Sequence, residues 1–574
     1  MVALAGNLLN SIQGGSINAR LSQSFDRFNS DEIIGWPPST SLIDQGFTAP
    51  VQSNLPVSVA ARALPGNRLN TYMDDLYYRI HIIPLNIALG NVSSSQGFNV
   101  VLWNAYMVPQ TVVSVTGLEE GITITPPGTI PYTLLALSET SWGISVSADG
   151  PPAIDAIISW NFDNIDAPTV HITGIRVTMW PFVPDWSQPV TERLEWATDI
   201  LTSSTGAEQR RSLRISPRRY YEARFITAQT DRSHFDMVLA GNGAGVWALP
   251  LWEQMQTLSE NLPAGSQAIT CETAYREWRP GAMVVLRGAD VADVFTLETG
   301  IVDTVLPSGI TLQRPLQQDW PAGARLYPAR SARFSALPTV ERVTDQAMTT
   351  GITFEMAETN DWNAELPATT YRGFAVFDAR PDESENLTSQ YLRLLLTLDN
   401  TAGLPAVTDS AKTGFTAQAH RWFLVGAQEL DAFKRLLYGL RGRQVPVWVP
   451  THADDMQIEV AAANDVLIIQ NIGYARFGVN KHARRDIRIE RSNGNATYHR
   501  IIAATDQGAT ERLSIDPPLA DVIQPADVGR ISFMALCRLD ADSVSLEHVG
   551  DVSSLTRASV VWRSVRDEVE EAVA

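Results

Sequence analysis

The feature that most constrains this chain is that its second half repeats part of its first. The stretch "GVWALPLWEQMQTL" (245–258) matches "PVWVPTHADDMQIEV" (446–460), and Val246, Trp247, Met255 and Gln256 fall on Val447, Trp448, Met456 and Gln457 at one offset. A chain that carries one module twice has to close two related cores, so a residue repeated in both copies is expected to serve packing. Trp247 and Trp448 are accordingly expected to plug the two cores. Each match follows a helix-like stretch with a Phe before aliphatic residues, "DRSHFDMVLAG" and "AQELDAFKRLLYGL", and precedes strands with a late Pro-Leu, "GITLQRPL" and "ERLSIDPPL". Upstream, "GIRVTMWPFVPDWSQ" is set against "GITFEMAETNDWNAE", which places Asp185-Trp186 opposite Asp361-Trp362. On this alignment the copies span about 174–334 and 351–541, and the second holds roughly twenty more residues between its Asp-Trp and its helix.

Around the repeat the periodicity is that of strands. Between 75 and 182 short β-branched or aromatic runs such as "FNVVLWNAY", "WGISVSA" and "AIISWNF" alternate and are broken by Gly, Pro, Asn and Asp, the pattern of an antiparallel sandwich. The expected fold class is therefore all-β. An extended arm (1–74) leads to an Ig-like β-sandwich (75–182) and two related β-barrel or sandwich domains, each with a flanking helix (183–334 and 335–541). The second of these carries the insertion "RPDESENLTSQYLRLLLTLDNTAGLPAVTDSAKTG", and a C-terminal segment (542–574) ends in the acidic "DEVEEAVA".

Charge narrows the function classes. With 63 acidic against 44 basic residues the net charge is −19, which argues against free nucleic acid or an anionic membrane as the main partner. Against that background "TGAEQRRSLRISPRRYYEARF" (205–225) is exceptional, with Arg210, Arg211, Arg214, Arg218, Arg219 and Arg224 in fifteen positions. Tyr220 and Tyr221 beside them could stack on bases, yet the rest of the chain lacks a basic face. The expected role of Arg210, Arg211, Arg214, Arg218 and Arg219 is assembly, through ion pairs within the domain or with an acidic neighbouring subunit.

Catalysis finds no address in the spacing. The pairs Asp454/Asp455 and Glu119/Glu120 are adjacent residues, which on a strand point to opposite faces and on a turn are solvated. The eight histidines show no metal-ligand spacing, and Cys271 and Cys537 alone make neither a disulfide framework nor a zinc site. No enzyme activity, cofactor or metal is expected. The N-terminus lacks a basic region ahead of a sustained apolar run, and no apolar stretch approaches the roughly 18 residues of a membrane span, so neither export by a signal peptide nor membrane insertion is expected. Trp142 and Trp160 of the sandwich could stack on sugars but sit in runs of core periodicity.

Two stretches carry a family resemblance. "DWSQPVTERLEWATDILTSSTGAEQRRSLRISPRR", with Glu208-Gln209-Arg210 at its centre, and "ELDAFKRLLYGLRGRQVPVWVPTHADDM", with Trp448-Val449-Pro450, resemble distal tail or baseplate hub proteins of long-tailed bacteriophages over about 174–541. The resemblance implies a structural virion subunit, assembled in the host cytoplasm, that joins the tail tube to the distal hub or fibres and leaves a passage for DNA. It also implies a homo-oligomer, here a trimer of two-barrel chains or alternatively a hexamer, meeting tail tube, tape measure and baseplate or fibre proteins, with DNA only in transit. The alternative reading is a receptor- or carbohydrate-binding tail-tip protein.

Overall fold

The computed structural model describes residues 76–566, except 93–94, 148–149, 152, 164, 244, 291–293, 480 and 552–554, so the expected N-terminal arm and the acidic tail lie outside the described residues. The protein is all-β and divides into two compact units, residues 1–178 and 179–574.

In the first unit one sheet runs in the order Ile80–Ile83, Gln96–Asn104, Glu139–Val146, Ile122–Thr125. The facing strands pair in the order Tyr132–Leu134, Gln110–Thr116, Ala153–Phe162, Thr169–Met179 and Asn86–Val92, the last pair parallel. Period-two alternation explains the packing: along Ala153–Phe162 the residues Ile154, Ala156, Ile158, Trp160 and Phe162 are buried and their neighbours are not. Trp142 and Trp160 meet edge to face inside, 6.1 Å apart.

The second unit holds the repeat. The first copy comprises β1 (Val190–Glu195), β2 (Thr198–Thr202), β3 (Glu208–Ser212), β4 (Arg218–Ala228), α1 (Gln229–Asn242), β5 (Val246–Pro250), β6 (Ala268–Thr270), β7 (Met283–Arg287), β8 (Leu297–Leu306), β9 (Gly309–Leu312), β10 (Arg325–Phe334), β11 (Thr339–Arg342) and β12 (Ala347–Met356). The second comprises β13 (Ser389–Leu392), β14 (Leu395–Leu398), β15 (Ala406–Asp409), β16 (Phe415–Val425), α2 (Gly426–Leu440), β17 (Val447–Pro450), β18 (Val466–Gln470), β19 (Asp486–Arg491), β20 (Ala496–Asp506), β21 (Thr510–Asp516), β22 (Val528–Leu539), β23 (Ser543–His548) and β24 (Leu555–Ser564). These elements correspond one for one. In each copy the strand before the helix pairs along its length with the last strand, Tyr220↔Glu355 to Ala228↔Ala347 and Ala417↔Arg563 to Val425↔Leu555. In each, five strands pair in the order β6-β9-β8-β7-β10 or β18-β21-β20-β19-β22. Both helices start directly from a strand through a left-handed residue, Gln229 (φ 53°) and Gly426 (φ 82°), a turn that glycine makes without a Cβ penalty.

The register corrects the sequence alignment. Asp185 N donates to Arg224 O and Asp382 N to Arg421 O, both at 2.7 Å, and each aspartate accepts from the serine two residues on, Ser187 or Ser384. Asp185 therefore matches Asp382, 197 positions on, and not Asp361. The same offset carries β1–β4 onto β13–β16 without a gap, so the expected insertion is no insertion: it is the second copy's version of the arginine tract and its hairpin. β12, which was expected to open the second copy, closes the first, and β23 and β24, expected as a C-terminal segment, close the second.

Candidate functional site

The two copies meet through β1. It pairs with β4 of its own copy on one side and, from Val190↔His548 to Glu195↔Ser543, with β23 of the second copy on the other. Its sequence Val-Thr-Glu-Arg-Leu-Glu alternates, and the buried phase holds Val190, Glu192 and Leu194. A carboxylate thus sits on a core face. On β4 the buried phase likewise reads Arg219, Tyr221, Ala223, Phe225.

These groups build one buried ionic network. Arg219 Nε lies 2.6 Å from Glu192 Oε1, and the other end of the guanidinium donates to Glu277 at 2.7 and 2.6 Å in a two-pronged pair. The second copy contributes Lys434 of α2, 2.9 Å from Glu192, and His548 of β23, 3.1 Å from the same carboxylate oxygen. Arg330 adds a contact to Glu277 at 3.3 Å, and the Tyr221 hydroxyl donates to Glu253 at 2.8 Å. Glu192 and Glu277 thereby face three cations (Arg219, Arg330, Lys434), and Glu253 joins them through the Tyr221 hydroxyl, which also accepts from Arg219. Burial by itself would raise the carboxyl pKa of Glu192 and Glu277, but Arg219 and Lys434 outweigh it and hold both well below the usual range. Burial pushes the Tyr221 hydroxyl far up, which keeps it a neutral donor.

Glu192, Glu253 and His548 also bring one ligand atom each within 4.8 Å of one another, as a cation site would. Both oxygens of Glu192 already face cations, so the arrangement as it stands serves charge pairing between the copies.

The hairpin β2–β3 extends the junction. Glu208 takes Arg538 of β22 in a two-pronged pair at 2.8 Å through both oxygens, and Asp542 accepts from the Thr198 amide and hydroxyl at 2.9 and 2.7 Å. At the hairpin tip Gly206 (φ 85°) lies against Phe415 so closely that a Cβ would come within 2.4 Å of the ring.

The sequence-derived candidates are placed as follows. Arg219 is 3% exposed, inside the protein and not on a surface for another subunit. Arg210 lies 3.6 Å from Glu208, Arg214 donates to Glu195 O at 3.2 Å, and Arg224 lies 3.9 Å from Asp185. Arg211 and Arg218 are exposed, Arg218 at 3.9 Å from Glu355. Trp247 and Trp448 are both buried, Trp247 5.3 Å from Trp180 within an aromatic cluster and Trp448 with its indole donating to Tyr371 O at 2.8 Å. Asp455 accepts from the Phe533 amide, Asp454 is exposed, and Glu119 and Glu120 are exposed; neither pair converges on a cleft. Glu192, Glu277, Lys434 and His548 went unnoticed in the sequence. The legible signal was phase: Glu192 and Arg219 stand where the alternation calls for apolar residues.

No family model and no curated protein sequence matches the chain. Among solved structures, the secreted serine protease VesC from Vibrio cholerae aligns over 51% of this chain and 52% of its own, at 8% identity and a TM-score of 0.17. The chain thus spans about half the length of that protein, and a likeness so slight bears on neither fold nor chemistry. Among the described residues no helix is long and apolar enough to cross a membrane.

Proposed function

We propose that this chain is a structural subunit of a bacteriophage tail tip or baseplate, located in the virion, that joins the tail tube to the distal hub or fibres around a passage for DNA. The observation that carries the reading is the junction itself: β1 and the hairpin of the first copy meet β22 and β23 of the second, two different surfaces in contact. A contact between unlike surfaces can repeat around a ring, and a chain with two equivalent modules fills two adjacent places in it. A trimer presenting six modules is favoured, a hexamer being the alternative arrangement. The role is non-catalytic, since the ionisable groups brought together are taken up in ion pairs with one another and are buried away from substrate. The carbohydrate-binding alternative loses its main support, because Trp142 and Trp160 are both fully buried. Labelled antibody against the chain, imaged on phage particles by electron microscopy, is expected to mark the distal end of the tail, with three copies per particle by mass; label on capsids, or none on particles, sinks the reading.

A further inference from the structure

The contact between the copies leaves its own counterpart unfilled. Inside the chain, β1 is bordered by β4 and β23. Its equivalent in the second copy, β13, pairs only with β16 among the described residues, and the equivalent of β23 in the first copy, β11, pairs only with β12. Both are open edges with exposed side chains. An exposed edge of this kind is a template for another strand.

We propose that β13 of one chain pairs antiparallel with β11 of a second copy of this chain, repeating between chains the contact that β1 and β23 make within one. The inference rests on the assembly reading above and names the surface it uses. Carrying the internal register across sets Ser389 opposite Val340 and Leu392 opposite Leu337, as Glu192 stands opposite Leu546 and Glu195 opposite Ser543. Leu337 is 91% exposed, an unusual state for a leucine that the neighbouring strand would end. The hairpins agree. Gly206 of β2–β3 is pressed against the second copy, whereas its equivalent Gly403, between β14 and β15, has open space where a Cβ would stand. Beside it Leu404 is 97% exposed, and Leu398 and Val407 of the same hairpin are exposed as well.

The chemistry changes sides in step. Where Glu208 meets Arg538 inside the chain, the equivalent positions are Pro405 and the exposed Arg333, so the carboxylate half of that ion pair is missing. Where Glu192 and Arg219 anchor the internal junction, the equivalents are Ser389 and Thr416. The contact between chains therefore lacks the ionic anchor of the internal one.

The test mixes two full-length variants, Ser389→Cys and Val340→Cys, under mild oxidation. Strand neighbours lie within the Cα separation a disulfide spans, and a one-residue shift turns the side chain to the other face. The expected result is a mixed disulfide-linked pair of chains, absent from either variant alone and absent when Gln390→Cys replaces Ser389→Cys; in the double variant the linked species should end at a closed set of three. Absence of the mixed pair, or equal linking by the shifted control, overturns the proposal, including the case in which another segment of the chain fills the edge. Linking without label at the phage tail keeps this contact and discards the tail-tip role; three copies at the tail without linking does the reverse.

Discussion

The two copies solve one packing problem with different side chains. At the centre of the first, Trp180 packs edge-on against Phe225 and Phe354 at 5.3 and 5.1 Å. At the centre of the second, Phe377 meets Trp422 and Trp562, both at 5.4 Å. The positions are equivalent, and the indole has moved from the middle of the trio to its two flanks. A shared backbone thus tolerates exchange as long as the combined volume still fills the space. The inner face of the strand before the helix diverges further: Arg219-Tyr221-Ala223 in β4 stand where β16 has Thr416-Gln418-His420. The first copy uses that face to hold its partner by charge. The second, whose partner within the chain lies on the other side, does not.

The largest expected effect comes from emptying an aromatic centre. Trp180→Ala, which removes contacts to Phe225, Phe235, Trp247 and Phe354, should cost about 5 kcal/mol by denaturant unfolding, and Phe377→Ala in the second copy about 3 kcal/mol. Equal losses would mean that the two centres are not organised around different residues. Next comes the network. Arg219→Met leaves Glu192 and Glu277 buried with one cation fewer and should lose about 3–5 kcal/mol, whereas Thr416→Val at the equivalent place should change stability by less than about 1 kcal/mol. A loss under about 1 kcal/mol for Arg219→Met would remove the network from any account of how the copies are held.

Acid should distinguish the copies as well. His420 and His452 face each other in the second copy, ring centres 5.8 Å apart, where the first has Ala223 and Trp252. Burial pulls the pKa of His420 down to about 4, and burial together with His420 and nearby arginines pulls that of His452 down to about 3. Both groups favour the neutral form when folded. Their contribution is therefore complete above the unfolded value near 6.5 and is lost as pH falls from there towards 4, on the order of 3 kcal/mol for His420 alone. Installing the first copy's residues, His420→Ala with His452→Trp, should flatten the acid limb of a stability–pH profile; an unchanged slope between pH 6.5 and 4 would assign acid sensitivity elsewhere. The smallest effect is expected at the exposed end of the arginine tract, where Arg211→Glu should move stability by no more than about 0.5 kcal/mol.

Much of this was legible in residues. Alternation marked the strands of the sandwich, and "VWALP" against "VWVP" located the repeat but one residue out of register. Pro250 matches Pro450, so Val447 stands where the first copy has Trp247, and Trp448 stands where it has Ala248, on the opposite face. The alignment upstream failed because an Asp-Trp pair at 361 is a local coincidence, while the true equivalence is carried by main-chain bonds from Asp185 and Asp382 and by little else than Pro184-Asp185-x-Ser187 against Pro381-Asp382-x-Ser384. Between these points the residues differ because the hairpins they build face different surroundings, Glu208 a buried arginine and Leu404 the solvent.

By itself the sequence determined what depends on neighbours in the chain: the strand periodicity, the duplicated module, the burial of Trp247 and Trp448, and the concentration of arginine between 210 and 224. Only the tertiary structure decided which arginines are inside, where each copy ends, and that Lys434 and His548 come from the second copy to meet Glu192 in the first. The reason is physical. Hydrophobic periodicity is a local property written every second residue, but the partner of a buried charge is chosen by the sheet register of strands more than three hundred positions apart, such as Glu192 and His548, and no short window of sequence contains both.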